Sequence, residues 1–205
     1  MKKFMKILIL QLLIMFFAIK VVNAADNPCR ISLSTSKTTL KPGDEITINI
    51  YMSDITLQEG INNISAIFNY PEDVFDIVLD ESDEAEEQIA IYSESLDSEG
   101  SIAMLYIGAN DTTSTRSDWN ALLYDEGTGE KGLLMYTSDR KKTSQNIAKI
   151  TLKVKENAPK TSAKFELKTI AAYDAKNNEQ NVNNTSITFT IEGEEIIRTN
   201  SKTCK

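Results

Sequence analysis

The residue types able to do chemistry are unevenly represented in this chain. There is no histidine in 205 residues, which removes together the usual general base, the usual activator of a serine or cysteine nucleophile and the commonest transition-metal ligand. Two cysteines, Cys29 and Cys204, are too few for a zinc cluster or an iron–sulfur site. Nucleotide chemistry lacks its loops: Gly-x-x-x-x-Gly-Lys does not occur, and Gly127-Thr128-Gly129-Glu130-Lys131-Gly132, which has the Gly-x-Gly-x-x-Gly spacing, is followed by the strand candidate Leu133 to Tyr136 and not by the helix a phosphate-binding turn must open. What remains is carboxylate. Six of the eight residues from Asp80 to Glu87 are acidic. A calcium ion needs several oxygens converging at about 2.3–2.6 Å, but no Asp-x-Asp-x-Asp-Gly spacing is present, so a solvated acidic loop is expected. A glycoside hydrolase needs only two carboxylates about 5–10 Å apart, and 30 acidic residues make some such pair inevitable and therefore uninformative. The chain is expected not to be an enzyme, and no metal or cofactor is expected on it.

The compartment follows from the first residues. A basic head, Met1-Lys2-Lys3-Phe4-Met5-Lys6, precedes a run from Ile7 to Ile19 that is apolar except for Gln11, and Val22-Asn23-Ala24 offers a small residue for cleavage. This pattern predicts an export signal over residues 1–24. The alternative, an uncleaved anchor, is disfavoured because the run stops at Lys20, short of the ~20 residues a bilayer span needs. No second apolar span follows, so secretion to the extracellular space, with association at the cell surface left open, is expected. The signal carries four lysines, and without it the net charge of −8 becomes −12 over 181 residues. Such a surface repels nucleic acid and anionic membranes. In an oxidising compartment Cys29 and Cys204, one near each end, are either bridged or two free thiols on frayed termini.

These residues are carried on strands. The dominant period is two, with Ile46, Ile48 and Ile50 alternating with Glu45, Thr47 and Asn49, and Ile64, Ala66, Phe68 and Tyr70 set against Asn63, Ser65, Ile67 and Asn69. Similar alternation marks Ile102 to Tyr106, Ile150 to Val154, Phe165 to Leu167 and Ile187 to Ile191. Shorter candidates are Ile31 to Leu33, Val74 to Leu79, Ile89 to Tyr92 and Leu133 to Tyr136. The count is that of an all-β sandwich. Lys41-Pro42-Gly43-Asp44 and Asp97-Ser98-Glu99-Gly100 are turns. Asp111 to Lys131 is expected to be an irregular excursion with a short helical turn near residues 117–124. One domain over residues 25–193 is expected, followed by a tail over 194–205.

Strand parity then selects a surface. If Ala66, Phe68 and Tyr70 face the core, Ser65 and Ile67 face outward. If Met104 and Tyr106 are buried, Ala103, Leu105 and Ile107 face outward too. Ile67 and Leu105 are the apolar residues expected on that outer side, as one surface when their strands are neighbours. Aromatic rings that could instead form a glycan-binding platform are Tyr51, Tyr92, Trp119 and Tyr124.

The order of these segments resembles the cohesin domains, receptors for dockerin domains in bacterial polysaccharide-degrading assemblies such as the cellulosome. The early strand Ile31 to Leu33, Lys41-Pro42-Gly43-Asp44 and the Ile46-Ile48-Ile50 alternation are similar to the family's opening. Ile64 to Ile77 resembles its strand ending in Tyr-Asp-Pro, Gly100 to Ile107 the hairpin entering its sixth strand, and Ile147 to Pro159 its closing segment. The likeness spans about residues 30 to 192. Pro71 directly after Tyr70 and Gly108 in place of an Asp depart from the family pattern. The resemblance implies a jelly-roll sandwich of about nine strands that binds a dockerin-like domain on one sheet. It places Asn63, Ser65, Ile67 and Leu105 at the contact, with Ser65 replacing a common Asp and any calcium held by the dockerin. The competing functions are a carbohydrate-binding module that takes polysaccharide directly and a structural module of a surface adhesin.

Overall fold

The computed structural model describes residues 27–79, 102–104, 119–125 and 130–193. Within these the chain is a two-sheet β-sandwich, as the period-two pattern predicts. Its strands are β1 (Arg30–Thr35), β2 (Thr39–Leu40), β3 (Glu45–Ser53), β4 (Ile61–Asn69), β5 (Phe75–Val78), β6 (Ile102–Met104), β7 (Trp119–Asp125), β8 (Lys131–Lys141), β9 (Gln145–Val154), β10 (Thr161–Tyr173), β11 (Glu179–Val182) and β12 (Thr185–Ile191). The smaller sheet has the order β1-β3-β9-β5. The larger runs β2-β12-β10-β4-β8-β7-β6, with β11 paired to β10. Four segments are four residues or shorter, which accounts for the excess over the expected nine or so.

The core lies between the sheets. Ile46, Ile48, Ile50 and Met52 of β3 and Ile64, Ala66 and Phe68 of β4 are each at most 3% exposed, in the parity expected. Facing strands supply Ile150, Leu152, Phe165, Leu167 and Phe189. Each such large side chain taken from water contributes roughly 1.5–3 kcal/mol. The rings interlock edge to face, with Phe68–Phe165 centroids 5.0 Å and Phe75–Phe189 centroids 5.7 Å apart.

The turn before β3 forms as expected: Gly43 takes φ +81°, Asp44 N–H donates to Lys41 O at 3.0 Å, and the Asp44 carboxylate accepts from the Lys41 amide at 2.9 Å and Lys37 Nζ at 2.8 Å.

Two expectations are corrected. Trp119 to Asp125 is strand β7, not a helical turn. Ala121-Leu122-Leu123 is a good helix-forming run, but Trp119, Ala121 and Leu123 alternate into the core, and sheet pairing to β8 overrides local propensity. Secondly, β4 and β6 are not neighbours, because β8 and β7 stand between them.

Three β-bulges shift the alternation. The one in β10 is decisive for the surface: Phe165 and Leu167 face the core, Thr169 sits at φ +50°, and beyond it Ile170 and Ala172 face the core instead. Tyr173 is thereby turned to the outer side. In the other two register shifts the extra residues are on β8, between Tyr136 and Lys141 opposite Ile61 and Asn63, and on β9, between Asn146 and Ala148 opposite Ile50 and Tyr51.

Candidate functional site

The outer face of the larger sheet carries the apolar surface that sequence parity pointed to. Register builds it row by row. Lys168, Ile67, Gly132 and Tyr124 lie side by side on β10, β4, β8 and β7; the next outward row is Ala171, Ser65, Leu134 and Leu122; then come Asn63, Tyr136 and Asn120. Ile67 and Leu134 are half-buried and belong to no part of the core. Leu122 and Ala171 share this outer parity and are 1% and 3% exposed, again outside the core cluster.

The expected residues Asn63, Ser65 and Ile67 are thus brought onto one face. Leu105 lies outside the described residues. The register opposite β7 sets Ala103 in the row of Leu123, Leu133 and Ala66, and Met104 in the row of Leu122, Leu134 and Ser65. The strand beside β4 at this face is β8, so Leu134 and Tyr136 occupy places that sequence reading had sought on the strand of Leu105. The signal for them was present in Leu133-Leu134-Met135-Tyr136, apolar on both parities, as in a strand with something to cover on each side.

Polar groups frame the apolar centre. Ser65 Oγ and Tyr173 Oη are hydrogen-bonded at 3.2 Å. Tyr173 is held in turn by Arg140, whose guanidinium donates to Tyr173 O at 2.8 Å, Asn62 Oδ1 at 2.9 Å and Gly60 O at 3.1 Å. Asn63 Oδ1 is buried without a hydrogen-bond partner; an unpaired buried acceptor costs about 1–3 kcal/mol. At one margin Lys168 Nζ meets Glu130 at 2.6 Å, and Lys164 meets Glu166 at 2.7 Å. The Glu130 carboxylate raises the Lys168 pKa, and the Lys164 ammonium lowers that of Glu166. Neither charge is left unpaired to dominate the centre.

The aromatic platform considered for glycans loses a member. Trp119 is 2% exposed, because its parity on β7 points inward, opposite Thr137. Tyr51 is 37% exposed, on the other sheet, and Tyr124 lies over Gly132. Tyr92 lies outside the described residues, as do the acidic run from Asp80 to Glu87, the turn at Asp97 to Gly100, residues 1–24, the tail over 194–205 and Cys204. Cys29 is a buried thiol, 1% exposed, and burial pushes its pKa to about 12. Among the described residues no group of three or more Cys, Asp or Glu side chains could hold a metal ion, and no helix is long and apolar enough to cross a membrane.

Comparison with known proteins decides the family. The model of the cohesin domain matches residues 31–191. The chain belongs to the cohesin family. Its fold is similar to the cohesin module of a family 33 glycoside hydrolase from Clostridium perfringens, with 11% identity, a TM-score of 0.55, and 82% of this chain and 99% of that one covered. It is also similar to the second type II cohesin module of the cellulosomal adaptor scaffoldin ScaA from Acetivibrio cellulolyticus, at 11% identity and a TM-score of 0.50, covering 79% of this chain and 96% of that one. No curated protein matches the chain. The cohesin fold is thus common ground, while identities this low leave the face itself to be argued from its own residues.

Proposed function

We propose that this cohesin is an exported, non-catalytic receptor that binds a dockerin-type domain on the outer face of β4, β8 and β7. The observation that carries this reading is the pair Ile67 and Leu134, half-buried aliphatic side chains on adjacent strands outside the core cluster, with Leu122 already buried beside Leu134. A sheet rarely keeps a contiguous apolar patch in water without a use. A partner helix laid across the strands would desolvate this centre, while Asn63 and the Ser65–Tyr173 pair would lie at its rim, and Leu105 is a further contact on this reading. Ser65 has no charge, so recognition there is by neutral hydrogen bonds. Calcium, where the pair needs it, is held by the partner. The Cys29–Cys204 disulfide belongs to this reading of an exported protein, as does placement outside the cell.

The test is titration against a panel of calcium-loaded dockerin domains, with melting curves in parallel. Ile67→Ala and Leu134→Ala are each expected to weaken binding by about 1–3 kcal/mol, roughly 5- to 150-fold, and to change stability little, since neither packs in the core. Undiminished binding by both variants would exclude this face.

A further inference from the structure

A cavity lies at the end of the sandwich where β1 begins. It has a volume of about 510 Å³ and opens between the start of β1, the segment after β3 and the β11–β12 turn. Cys29 and Ile31, 1% and 5% exposed, form an apolar floor. Above it stand Arg30, Asp54 and the amides of Asn27, Asn183 and Asn184.

Two features suit this cleft to a ligand. The Arg30 guanidinium has no side-chain partner among the described residues, and Asp54 is bonded only to the neighbouring Ser53 hydroxyl at 3.3 Å. Both charges are exposed at one cavity yet form no ion pair with each other. Asp54 is also held at φ +50°, a left-handed conformation that a non-glycine residue adopts at a cost and that gathers at binding sites.

We propose that this cleft binds a small neutral polyol, a monosaccharide unit or the end of a glycan chain. The lining mixes donors with acceptors: a guanidinium, a carboxylate, three amides and the hydroxyls of Ser32, Thr56 and Thr185. An anion would satisfy Arg30 but meet Asp54, and a cation would meet the reverse conflict. A sugar hydroxyl both donates and accepts, so vicinal hydroxyls can bridge Arg30 and Asp54 while the ring's C–H face rests on Ile31. The volume lies within the usual range of about 300–1,000 Å³ for small-molecule sites. The cleft opens at the start of β1 and the β11–β12 turn, with β10 between β12 and β4, so it shares no residue with the proposed docking face.

The experiment is an amide-shift titration of the exported chain under reducing conditions, which keep Cys29 the free thiol that floors the cleft, with xylose, glucose, galactose and N-acetylglucosamine, and separately with glycine and inorganic phosphate. At least one sugar is expected to give saturable millimolar shifts at Arg30, Ser32, Asp54 and Asn184. Arg30→Met and Asp54→Asn should each weaken binding by about tenfold, with unchanged melting temperature and dockerin affinity. Asparagine tolerates the left-handed backbone as aspartate does. The proposal is overturned if no sugar gives saturable shifts, if both variants bind sugar as the parent does, or if glycine or phosphate binds more tightly than every sugar. A zwitterion or anion site would then be the better description.

Discussion

Gly132 on β8 lies directly beneath the ring of Tyr124 on β7, and replacing it by alanine sets two effects of opposite sign against each other. A Cβ built at Gly132 would stand 2.1 Å from Tyr124 Cζ and 2.4 and 2.6 Å from its ring neighbours. Carbon atoms rest at about 3.5–4.0 Å, so the ring must retreat by roughly 1.5 Å. Gly132 is not among the positive-φ glycines, which leaves the ring as the source of the conflict. Forcing a methyl group under a packed ring costs about 1–3 kcal/mol, whereas removing a glycine from a strand interior returns about 0.5–1 kcal/mol. Gly132→Ala is therefore expected to destabilise by about 0–2.5 kcal/mol, a fall in Tm of up to roughly 10 °C for a domain of this size.

In a Tyr124→Ala background only the glycine effect remains, and the same substitution should stabilise by about 0.5–1 kcal/mol. Urea unfolding of the four proteins gives a cycle in which the cost of Tyr124→Ala, including its other contacts, cancels and a coupling of about 1–3 kcal/mol is left. An effect of Gly132→Ala that is the same in both backgrounds would refute the argument. Because Tyr124 borders the docking face, Gly132→Ala should also disturb dockerin affinity more than its stability cost alone would suggest.

Further outcomes are expected elsewhere. The Lys37 ammonium and the Lys41 amide hold the Asp44 carboxyl below 3.8, so the stability it contributes is complete above that value and is lost as pH falls through the lower folded pKa. An Asp44→Asn variant should accordingly show a shallower acid limb in unfolding measured from about pH 5 to pH 2. Thr169→Gly relieves a β-branched residue at φ +50° and should raise unfolding stability by about 0.5–1 kcal/mol; a loss would show that the β10 bulge is held by the threonine side chain. Mass spectrometry of the exported protein without reductant should find Cys29 and Cys204 bridged, with a loss of roughly 4–5 kcal/mol on reduction by chain entropy. Two free thiols would overturn the bridge.

Much of the sandwich was legible in the sequence because burial on one face forces a period of two. Ile46 to Met52 and Ile64 to Phe68 are buried in the parity their spacing demands. Where a strand has apolar neighbours on both sides, the period carries no such information. Trp119 to Asp125 is the case in point: Leu122 and Leu123 are both buried, on opposite sides of the sheet. An alternating reading fails there, and the short Ala-Leu-Leu run looks helical. Strand order was equally hidden, since nothing local states that β8 rather than β6 lies beside β4.

The proposed docking face was half legible for the same physical reason. Ser65 and Ile67 sit on a strand whose inner row is unmistakable, so their outward direction follows. Tyr173 does not yield to that logic, because counting by twos from Phe165 and Leu167 would bury it. The extra residue at Thr169 reverses the phase, and only then can the tyrosine hydroxyl reach Ser65 at 3.2 Å. The bulge therefore does more than bend an element. It converts a position that the pattern assigns to the core into the polar edge of an apolar surface, and it places Arg140's anchoring hydrogen bond on the carbonyl of that same residue. On the proposed reading, recognition at this face depends on a backbone irregularity as much as on side-chain identity.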